Sequence, residues 1–495
     1  MRSMLIKQAT LFIRQQGGRF LVISLLLLVP CFWHKRIEAG DVGSHTYNAW
    51  LAHLVNQGQA PGLYIESRWN NVLVDLTLQK LGEVAGFIVA ERILVSVTVL
   101  IFFWGAFALM SAVHGRPPWF LTPAIAMITY GWTFYSGFMN FYLAIGLGFF
   151  AVALFWRGSG RDLLVAAGIA IVALLAHPFG FLCLIGMAAY LRLADMVKSW
   201  RRWALFASAF LVVIAFHFYV LRFRTAYWHT KDFYFMNGVD QFVLFRARYA
   251  ILALALLVFG AACLVYGMVR EWRTDKTNPE KWSFRAPFEL WVVLLFAALM
   301  IPEVVWLPQY SNPFALIISR LTVVTGVLGL CVLGSVKPRS WHLAGLAAGA
   351  GLFFLWSYQD TGMLNRMEEQ VESMVNTLPQ GRRVIETINL PDESRLWFVN
   401  HIVDRACIGK CFAYSDYEPP SKQFRIRVRH GSPIVTDSAD DGFHMETGFY
   451  VVRKEDLPMN QIYQCDDKNL GKLCMRELSA GEENGRIGYR PTRFQ

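Results

Sequence analysis

The stretch "FLVISLLLLVPCFWHKRIEAGDVGSHTYNAW" (residues 20–50) joins an apolar run directly to a polar segment. Its first part, residues 20–36, approaches the ~20 residues that cross a bilayer as a helix, and no small-residue cleavage site follows it. We therefore predict a retained first span. The polar part sets Asp41 and His45 at the mouth of that span, either in a solvated loop or in an active site at the membrane surface.

The composition is typical of a polytopic membrane protein. Hydrophobic residues make up 55% of the 495 residues and charged residues only 17%, whereas a soluble chain carries about a quarter charged residues. The net charge of +11 fits the Lys and Arg that membrane proteins keep on the cytoplasmic side. The composition predicts a lipid bilayer as partner. We predict no nucleic-acid partner, because no basic, aromatic-rich folded module is visible.

Eleven apolar runs predict a mostly α fold with about 11 transmembrane helices in residues 1–360. Two runs are too long for one helix, and we divide them at 136–137 and at His177-Pro178, where proline disfavours helix. The predicted spans lie near 20–36, 86–112, 119–135, 138–156, 162–176, 178–195, 202–221, 243–269, 287–306, 313–335 and 341–358.

The charge distribution orients these spans in an inner (plasma) membrane. With the N-terminus cytoplasmic, Lys and Arg concentrate in the inner segments, whereas the short outer loops hold only Arg222, Arg224 and Lys231. An odd number of spans then places the first long loop, 37–85, and the tail, 361–495, outside the cytoplasm.

The first outer loop carries two helical patterns. Apolar residues at helical spacing predict a helix that starts near Ser44, with Ser44 or Asp41 at its cap, and Gly58 ends it. A second helical stretch covers 70–82. We predict that both are amphipathic helices lying in the outer interface.

The tail, residues 361–495, predicts a small extracytoplasmic α+β domain. "GMLNRMEEQVESMVNTLPQG" (362–381) shows one apolar helical face that ends at its Pro and Gly. Four strand-like runs separated by turn residues follow: "RRVIETI" (382–388), "LWFVNHIV" (396–403), "QFRIRVR" (423–429) and "GFYVVRK" (448–454).

The eight cysteines divide equally between spans and tail. An oxidising compartment favours disulfides among the four in the tail, and of the three pairings we favour the local one, Cys407–Cys411 with Cys465–Cys474. The alternative is a zinc site that uses His401 or His444, although the spacing matches no common zinc module.

Several motifs resemble those of GT-C type glycosyltransferases, polytopic enzymes that take sugar from a polyprenyl-phosphate carrier. They are an acid after the first span, a following helix with His and Trp, and the segments "GQAPGLY" (58–64), "YSGFMNFYLAIGLGF" (135–149) and "LLAHPFGFL" (174–182). The resemblance is architectural over most of residues 20–358 and does not extend to the tail. It implies a polyprenyl-phosphate-linked sugar donor and a glycan, lipid or protein acceptor.

The resemblance gives Asp41 the role of the family's first-loop acid. As general base of an inverting transfer, it would take the proton from an acceptor hydroxyl, and partial desolvation would raise its pKa toward neutrality. His45, one helical turn on, is its predicted catalytic neighbour. The alternatives are a helix cap for Asp41 and a solvated helix face for His45.

The departing lipid phosphate needs positive charge near the outer leaflet. Arg320, inside the tenth span, is the first substrate-binding candidate because an arginine in hydrocarbon usually faces a cavity or a partner; an ion pair with Glu303, itself a candidate, is as plausible. Arg222 and Arg224 are further candidates, with snorkelling to the interface as the alternative. For His177, the alternative is a satisfied core histidine.

No metal site and no definite cofactor are predicted, because the second acid of many GT-C enzymes is missing beside Asp41. A divalent cation is compatible with the resemblance but has no support in the residues. The remaining outer acids are Asp75, Asp232, Asp240 and Glu303.

Two functions from other classes stay open. The single acid motivates a non-catalytic scaffold or assembly protein that has kept the helical frame. A transporter is the third hypothesis, against which no pair of corresponding halves is visible.

Overall fold

The computed structural model describes residues 2–228, 237–243, 248–274, 284–388, 401–466 and 471–485. The described chain is mostly helical and has three small sheets. Its helices are α1 (Arg2–Phe32), α2 (Val42–Asn56), α3 (Leu73–Ala85), α4 (Phe87–His114), α5 (Thr122–Thr129), α6 (Trp132–Tyr135), α7 (Met139–Arg157), α8 (Arg161–Ala176), α9 (Pro178–Met196), α10 (Trp200–Phe223), α11 (Asp240–Val243), α12 (Arg248–Thr274), α13 (Arg285–Met300), α14 (Ile317–Leu333), α15 (Ser340–Thr377), α16 (Ile402–Cys407), α17 (Glu418–Ser421) and α18 (Ala439–Thr447). The strands are β1 (Leu63–Ile65), β2 (Thr225–Tyr227), β3 (Val304–Trp306), β4 (Arg382–Thr387), β5 (Cys411–Ala413), β6 (Ile426–Val428), β7 (Met459–Gln464) and β8 (Leu473–Glu477).

Five helices among the described residues are long and apolar enough to cross a membrane, namely Phe87–His114, Met139–Trp156, Pro178–Met196, Trp200–Phe223 and Arg248–Gly267. Two shorter apolar helices cover Gln16–Phe32 and Ile317–Leu333. The predicted count of eleven spans is therefore not confirmed. Both predicted breaks are present, since α6 ends before Ser136 and an extended His177 separates α8 from α9.

Two predicted spans differ from the helices found. Span 119–135 is divided into a 3-10 turn at Trp119–Leu121, α5 and α6. The division is stabilised from α11, because the amide and the hydroxyl of Thr133 each donate to Gln241 Oε1 at 3.0 Å. Span 287–306 ends as helix at Met300, and its last residues form β3, which pairs with β2.

Helices α10 and α12 leave wide apolar faces uncovered. Large side chains such as Leu211, Val212 and Ile251 are well exposed. A soluble protein rarely exposes an apolar surface of this extent, whereas lipid covers such surfaces in membrane proteins. These faces fit the composition of a membrane protein.

Helix α15 runs for 38 residues from the last predicted span into the tail. It passes residue 360 without a break, so the predicted division between the two parts lies inside a helix. Its tail end buries the predicted apolar face through Leu364, Met367 and Val371. One continuous helix therefore connects the tail to the helical bundle.

The tail contains a four-stranded sheet in the order β5-β4-β7-β8. β4 pairs in parallel with β5 and β7, and β8 is antiparallel to β7. Of the predicted runs, 382–388 and 423–429 contain β4 and β6. The run 448–454 is not a strand and forms only a bridge between Val451 and Glu483. The run 396–403 lies largely outside the described residues, and its last two residues begin α16.

The first loop and the tail share a two-stranded sheet. β1 pairs antiparallel with β6, with Leu63 opposite Val428 and Ile65 opposite Ile426. Arg68 extends this contact by donating to the backbone of Gln423. The predicted outer loop is therefore joined to the tail.

The predicted disulfides are confirmed, because Cys407 bonds to Cys411 and Cys465 to Cys474. The zinc alternative is wrong, since these four sulfurs are not free to bind a metal. The remaining four cysteines, Cys31, Cys183, Cys263 and Cys331, are free.

Alkylation followed by mass spectrometry tests this pairing. We expect the denatured but unreduced protein to take up label at its four free cysteines, and the reduced protein at all eight. Labelling of all eight without a reductant would contradict the assignment. Replacing Cys407 and Cys411 together by Ser should cost about 2 kcal/mol, the chain-entropy value for such a short loop.

Candidate functional site

The backbone of Asp41 is held by the turn between α6 and α7. Its amide donates to Ser136 O at 3.2 Å. Gly137 has φ +81°, and a Cβ atom there would lie 2.5 Å from Asp41 N and 2.6 Å from Ala39 O. Only glycine fits this close contact. The backbone of Asp41 therefore packs against the predicted break at 136–137.

Gly137→Ala tests this support. We expect Gly115→Ala, at another left-handed glycine (φ +64°) with nothing within 4 Å, to cost about 1–2 kcal/mol of strain. Gly137→Ala should lose the same amount plus about 1–3 kcal/mol of overpacking against Asp41. The free energy of unfolding in detergent measures both. Equal losses would show that the close contact does not matter.

The Asp41 carboxylate is not a helix cap. Asp41 occupies the N-cap position of α2, but its side chain makes no capping hydrogen bond. The side chain is 27% exposed, and Oδ1 lies 3.7 Å from Nε2 of His401. Burial raises the pKa of Asp41, and the charges of His401, His45 and Arg320 only partly offset that rise. The result is a carboxylate with raised proton affinity and some access to solvent.

His401, from the tail, is the ion-pair partner of Asp41. Its Nδ1 lies 2.9 Å from Asp404 Oδ2, and its amide donates to Glu386 Oε1 at 2.9 Å. Burial lowers the pKa of His401, but Asp404 and Asp41 outweigh it and raise the pKa well above the usual range. Asp404 therefore orients a positively charged imidazole toward Asp41.

His45 is buried, which contradicts the solvated-face alternative. Its Nδ1 lies 3.0 Å from Glu418 Oε1 and 3.6 Å from Asp75 Oδ1. Burial lowers the pKa of His45, but the carboxylates, Glu418 first, outweigh it and raise the pKa to about 9. The side chain thus pairs with two other acids, while its backbone amide donates to Asp41 O at 2.9 Å.

The tail covers the first two turns of α2. Ser44 Oγ donates to Glu418 Oε1 at 3.0 Å, and Asn48 Nδ2 to Asp416 Oδ1 at 3.1 Å. Residues Val42 to Ala52 are all buried. The prediction of an interfacial amphipathic α2 is therefore wrong, because protein surrounds this helix.

Arg320, on α14, is a cation without a carboxylate partner among the described residues. Its Cζ lies 4.0 Å from the ring centre of Phe138 and 5.1 Å from that of Phe314. Its Nε is buried and has no hydrogen-bond partner in the described chain. The alternative ion pair with Glu303 is not formed, because Glu303 instead accepts from Ile318 N at 2.9 Å at the start of α14.

The other predicted binding residues have local contacts. Arg222 and Arg224 are exposed; Arg222 lies over the Phe223 ring and Arg224 donates to Tyr219 OH at 3.2 Å. These contacts favour the snorkelling alternative. His177 Nδ1 accepts from Phe179 N at 3.2 Å and so caps α9, as expected of a structural histidine.

Among the residues that the structure describes, no group of three or more His, Cys, Asp or Glu is arranged to hold a metal ion. Of the remaining outer acids, Asp75 reaches His45, and Asp240 accepts from Gly238 N at 2.8 Å and from the Thr322 hydroxyl. Asp232 lies outside the described residues.

A buried arginine fixes the segment that leads to Asp41. The Arg405 cluster consists of Arg405, Glu38, Glu91 and Glu368. Arg405 lies 2.8 Å from Glu91, 2.6 Å from Glu368 and 3.5 Å from Glu38. It also donates to Ile37 O at 2.9 Å. One tail residue thus links α4, α15 and residues 37–38, directly before Asp41.

Sequence reasoning missed the tail's part in this site. His401 was considered only as a zinc ligand, and Asp404, Asp416 and Glu418 were not considered. One sequence feature could have indicated these residues. The segment "SDYEPP" (415–420) places two acids beside an aromatic residue in a tail to which the sequence assigns no function.

Comparison with known proteins gives two structural neighbours at low similarity. The cryo-EM structure of the arabinofuranosyltransferase AftD from mycobacteria has TM-score 0.42 and 13% identity, over 91% of this chain and 37% of that one. The oligosaccharyltransferase of Archaeoglobus fulgidus has TM-score 0.32 and 11% identity, over 79% and 64%. This chain thus spans less than two thirds of either neighbour. No protein-family model and no curated protein matches it. Neither TM-score establishes a shared fold or activity.

Proposed function

We propose that this protein is an integral-membrane glycosyltransferase that moves a sugar from a polyprenyl-phosphate carrier to an acceptor outside the cytoplasm. The observation that carries the proposal is the Asp41 carboxylate, which makes no capping bond, together with the charge of Arg320 that acts on it. Asp41 is a partly desolvated carboxylate that caps nothing. The guanidinium of Arg320 has no carboxylate partner in the described chain, and its charge acts on Asp41.

Asp41 is the general base in this proposal. It takes the proton of an acceptor hydroxyl while the hydroxyl oxygen attacks the anomeric carbon of the sugar. The bond from that carbon to the phosphate oxygen breaks on the opposite face, which inverts the configuration. A raised pKa makes the carboxylate a better proton acceptor, and a positioned base contributes about 10²–10⁴ in rate.

Arg320 neutralises the charge that develops on the departing phosphate. An arginine offers a planar fork of donors that fits phosphate oxygens, and a site that excludes water strengthens this effect. Phe138 and Phe314 hold the guanidinium over their rings, so the charge is oriented before the donor binds.

His401 is a positioning residue in the same proposal. Its imidazolium attracts one carboxylate oxygen of Asp41 from 3.7 Å, and Asp404 fixes the ring from the other side. The tail thereby completes a site whose base comes from the first loop. This assignment requires loop and tail on the same, extracytoplasmic side of the inner membrane, as the positive-inside rule predicts.

The test is an assay with the purified full-length protein in detergent. A polyprenyl-phosphate-linked sugar should release free polyprenyl phosphate, whereas the same sugar on a nucleoside diphosphate should not be consumed. No release from a panel of lipid-linked sugars, with a folded protein, would favour a non-catalytic membrane scaffold. Uptake of sugar into vesicles without release would favour a transporter.

His45 predicts how stability depends on pH. Its pKa is about 9 in the folded protein and about 6.5 unfolded, so its ion pairs contribute fully below pH ~6.5 and are lost as the pH rises through ~9. We expect up to roughly 3 kcal/mol of stability to disappear over this range. In His45→Gln, the free energy of unfolding from thermal melts should therefore change less with pH over this range. In His53→Gln, on the same helix but partly exposed, it should change with pH as in the wild type. Equal slopes in all three would contradict the assignment.

A further inference from the structure

A cavity lies between the first loop and the tail. It has a volume of about 360 Å³, within the usual range of ligand sites. Its walls come from Tyr64 of β1, residues 66–68 after that strand, residues 309–310 after β3, and the tail around α17 and β6. Nothing in the proposed transfer chemistry at Asp41 uses this cavity.

The cavity carries an excess of positive charge. Arg68, Lys422 and Arg427 line it together with two acids, Glu66 and Asp437. The carboxylate of Asp437 is already engaged, because Oδ2 lies 2.5 Å from His430 Nδ1 and accepts from Gly431 N at 3.0 Å. The three cations outnumber the two carboxylates, so the lining has a net positive charge.

Arg427 is the most unusual of these cations. It is only 7% exposed. Its Nη2 donates to Lys422 O at 2.5 Å, whereas Nη1 is buried without a hydrogen-bond partner in the described residues. Burial and the nearby charge of Arg68 both lower its pKa. A buried guanidinium in such a state is stabilised by an oxyanion, for which its fork of donors is the preferred partner.

The remaining lining has rings with both apolar and polar parts. Tyr310 contacts Arg68, whose Cζ lies 5.5 Å from the ring centre and whose Nη2 donates to the hydroxyl at 3.3 Å. Tyr64 also lines the cavity. Tyrosine rings offer flat apolar faces beside a hydroxyl, which fits a ligand with C–H faces and hydroxyl groups.

Residues that line the cavity are neighbours in sequence of residues that surround Asp41. Pro419 and Pro420 line it, and they follow Glu418, which contacts His45 at 3.0 Å. The ring of Tyr417 lies 5.0 Å from that of His401, the partner of Asp41. Helix α17 and the preceding Tyr417 therefore connect the cavity lining to the residues around the proposed base.

We propose that this cavity binds an acidic saccharide, a sugar unit that carries a carboxylate or phosphate group, as part of the acceptor. The inference rests on the proposed glycosyl transfer, because it names the acceptor class for the same site. Arg427 and Arg68 bind the oxyanion, and Tyr64 and Tyr310 contact the sugar ring. Lys422, which is exposed, supplies charge at the entrance.

Calorimetry on the full-length protein in neutral detergent, without donor, tests the inference. The probes are tetragalacturonic acid, a sugar phosphate, neutral maltotetraose, inorganic phosphate and vesicles that contain an anionic phospholipid. We expect an acidic saccharide to bind at least tenfold more tightly than maltotetraose and inorganic phosphate. Arg427→Gln should weaken that binding about tenfold or more, and Lys422→Gln, at an exposed side chain, severalfold. Arg453→Gln, exposed elsewhere in the tail, should leave it unchanged.

Several outcomes would overturn the inference. Equal binding of maltotetraose would remove the role of the charge, and equal binding of inorganic phosphate would make this a site for a free anion. Vesicle binding that depends on Lys422 and Arg427, without saccharide binding, would assign the cavity to lipid headgroups. Because no donor is present, saccharide binding by a protein that releases no polyprenyl phosphate would contradict the proposed transfer and not the cavity's ligand.

Discussion

Asp41→Asn is expected to lower the release of polyprenyl phosphate by at least about 100-fold, the lower end of what a positioned general base supplies. Asparagine keeps the shape of the side chain but cannot accept the proton of the acceptor hydroxyl. The donor should still bind with unchanged affinity, because Arg320 and its aromatic neighbours are intact. Single-turnover rates and donor binding, measured separately, distinguish the loss of chemistry from the loss of binding.

The variant should also be as stable as the wild type. The Asp41 side chain makes no capping bond, and its ion pair with His401 is long and partly exposed, so it contributes little. Asp440→Asn, an exposed acid in the first turn of α18, is the matched control and should retain full activity. Undiminished turnover in Asp41→Asn would rule out its role as the base.

Arg405→Met is expected to destabilise the folded protein by about 3–5 kcal/mol, the usual cost of removing one partner from a buried ion pair. Methionine fills part of the volume but leaves the carboxylates of Glu38, Glu91 and Glu368 without their shared cation. All four side chains of the Arg405 cluster are at most 4% exposed. Thermal unfolding in detergent measures the loss.

A rescue experiment separates charge from packing in this cluster. Adding Glu91→Gln and Glu368→Gln to Arg405→Met removes two of the three carboxylates that have lost the Arg405 cation and should restore part of the lost stability. Arg366→Met, at an exposed arginine of α15, should change stability by no more than about 0.5 kcal/mol. A loss in Arg405→Met no larger than in this control would show that the cluster is not a stability determinant.

The features that local sequence carries were predictable. The helix after Asp41, the breaks at 136–137 and 177–178 and the two disulfides all follow from residues close together in the chain. The ends of helices were less predictable, because tertiary contacts decide them. Gln241 stabilises the start of α6. Helix α15 continues past residue 360 because its C-terminal half packs in the tail.

Distant contacts were outside the reach of sequence reasoning. Ser44 and Glu418 are 374 residues apart, and no periodicity or spacing links them. The same holds for His401, whose sequence surroundings favour a metal site or a strand as much as a partner for Asp41. The apparent lack of a second acid near Asp41 had the same origin, because Glu418, whose charge acts on Asp41, comes from the tail.

The pairing of β1 with β6 has a consequence for biosynthesis. The ribosome delivers Asp41 directly after α1, but His401, Arg405 and Glu418 emerge only after α15 has been made. On the proposed mechanism, Asp41 of a nascent chain therefore has no positioning partner until the segment that carries His401 has been made and packs against α2. A chain truncated before His401 should be inactive in transfer, because the tail residues around the proposed base would be missing.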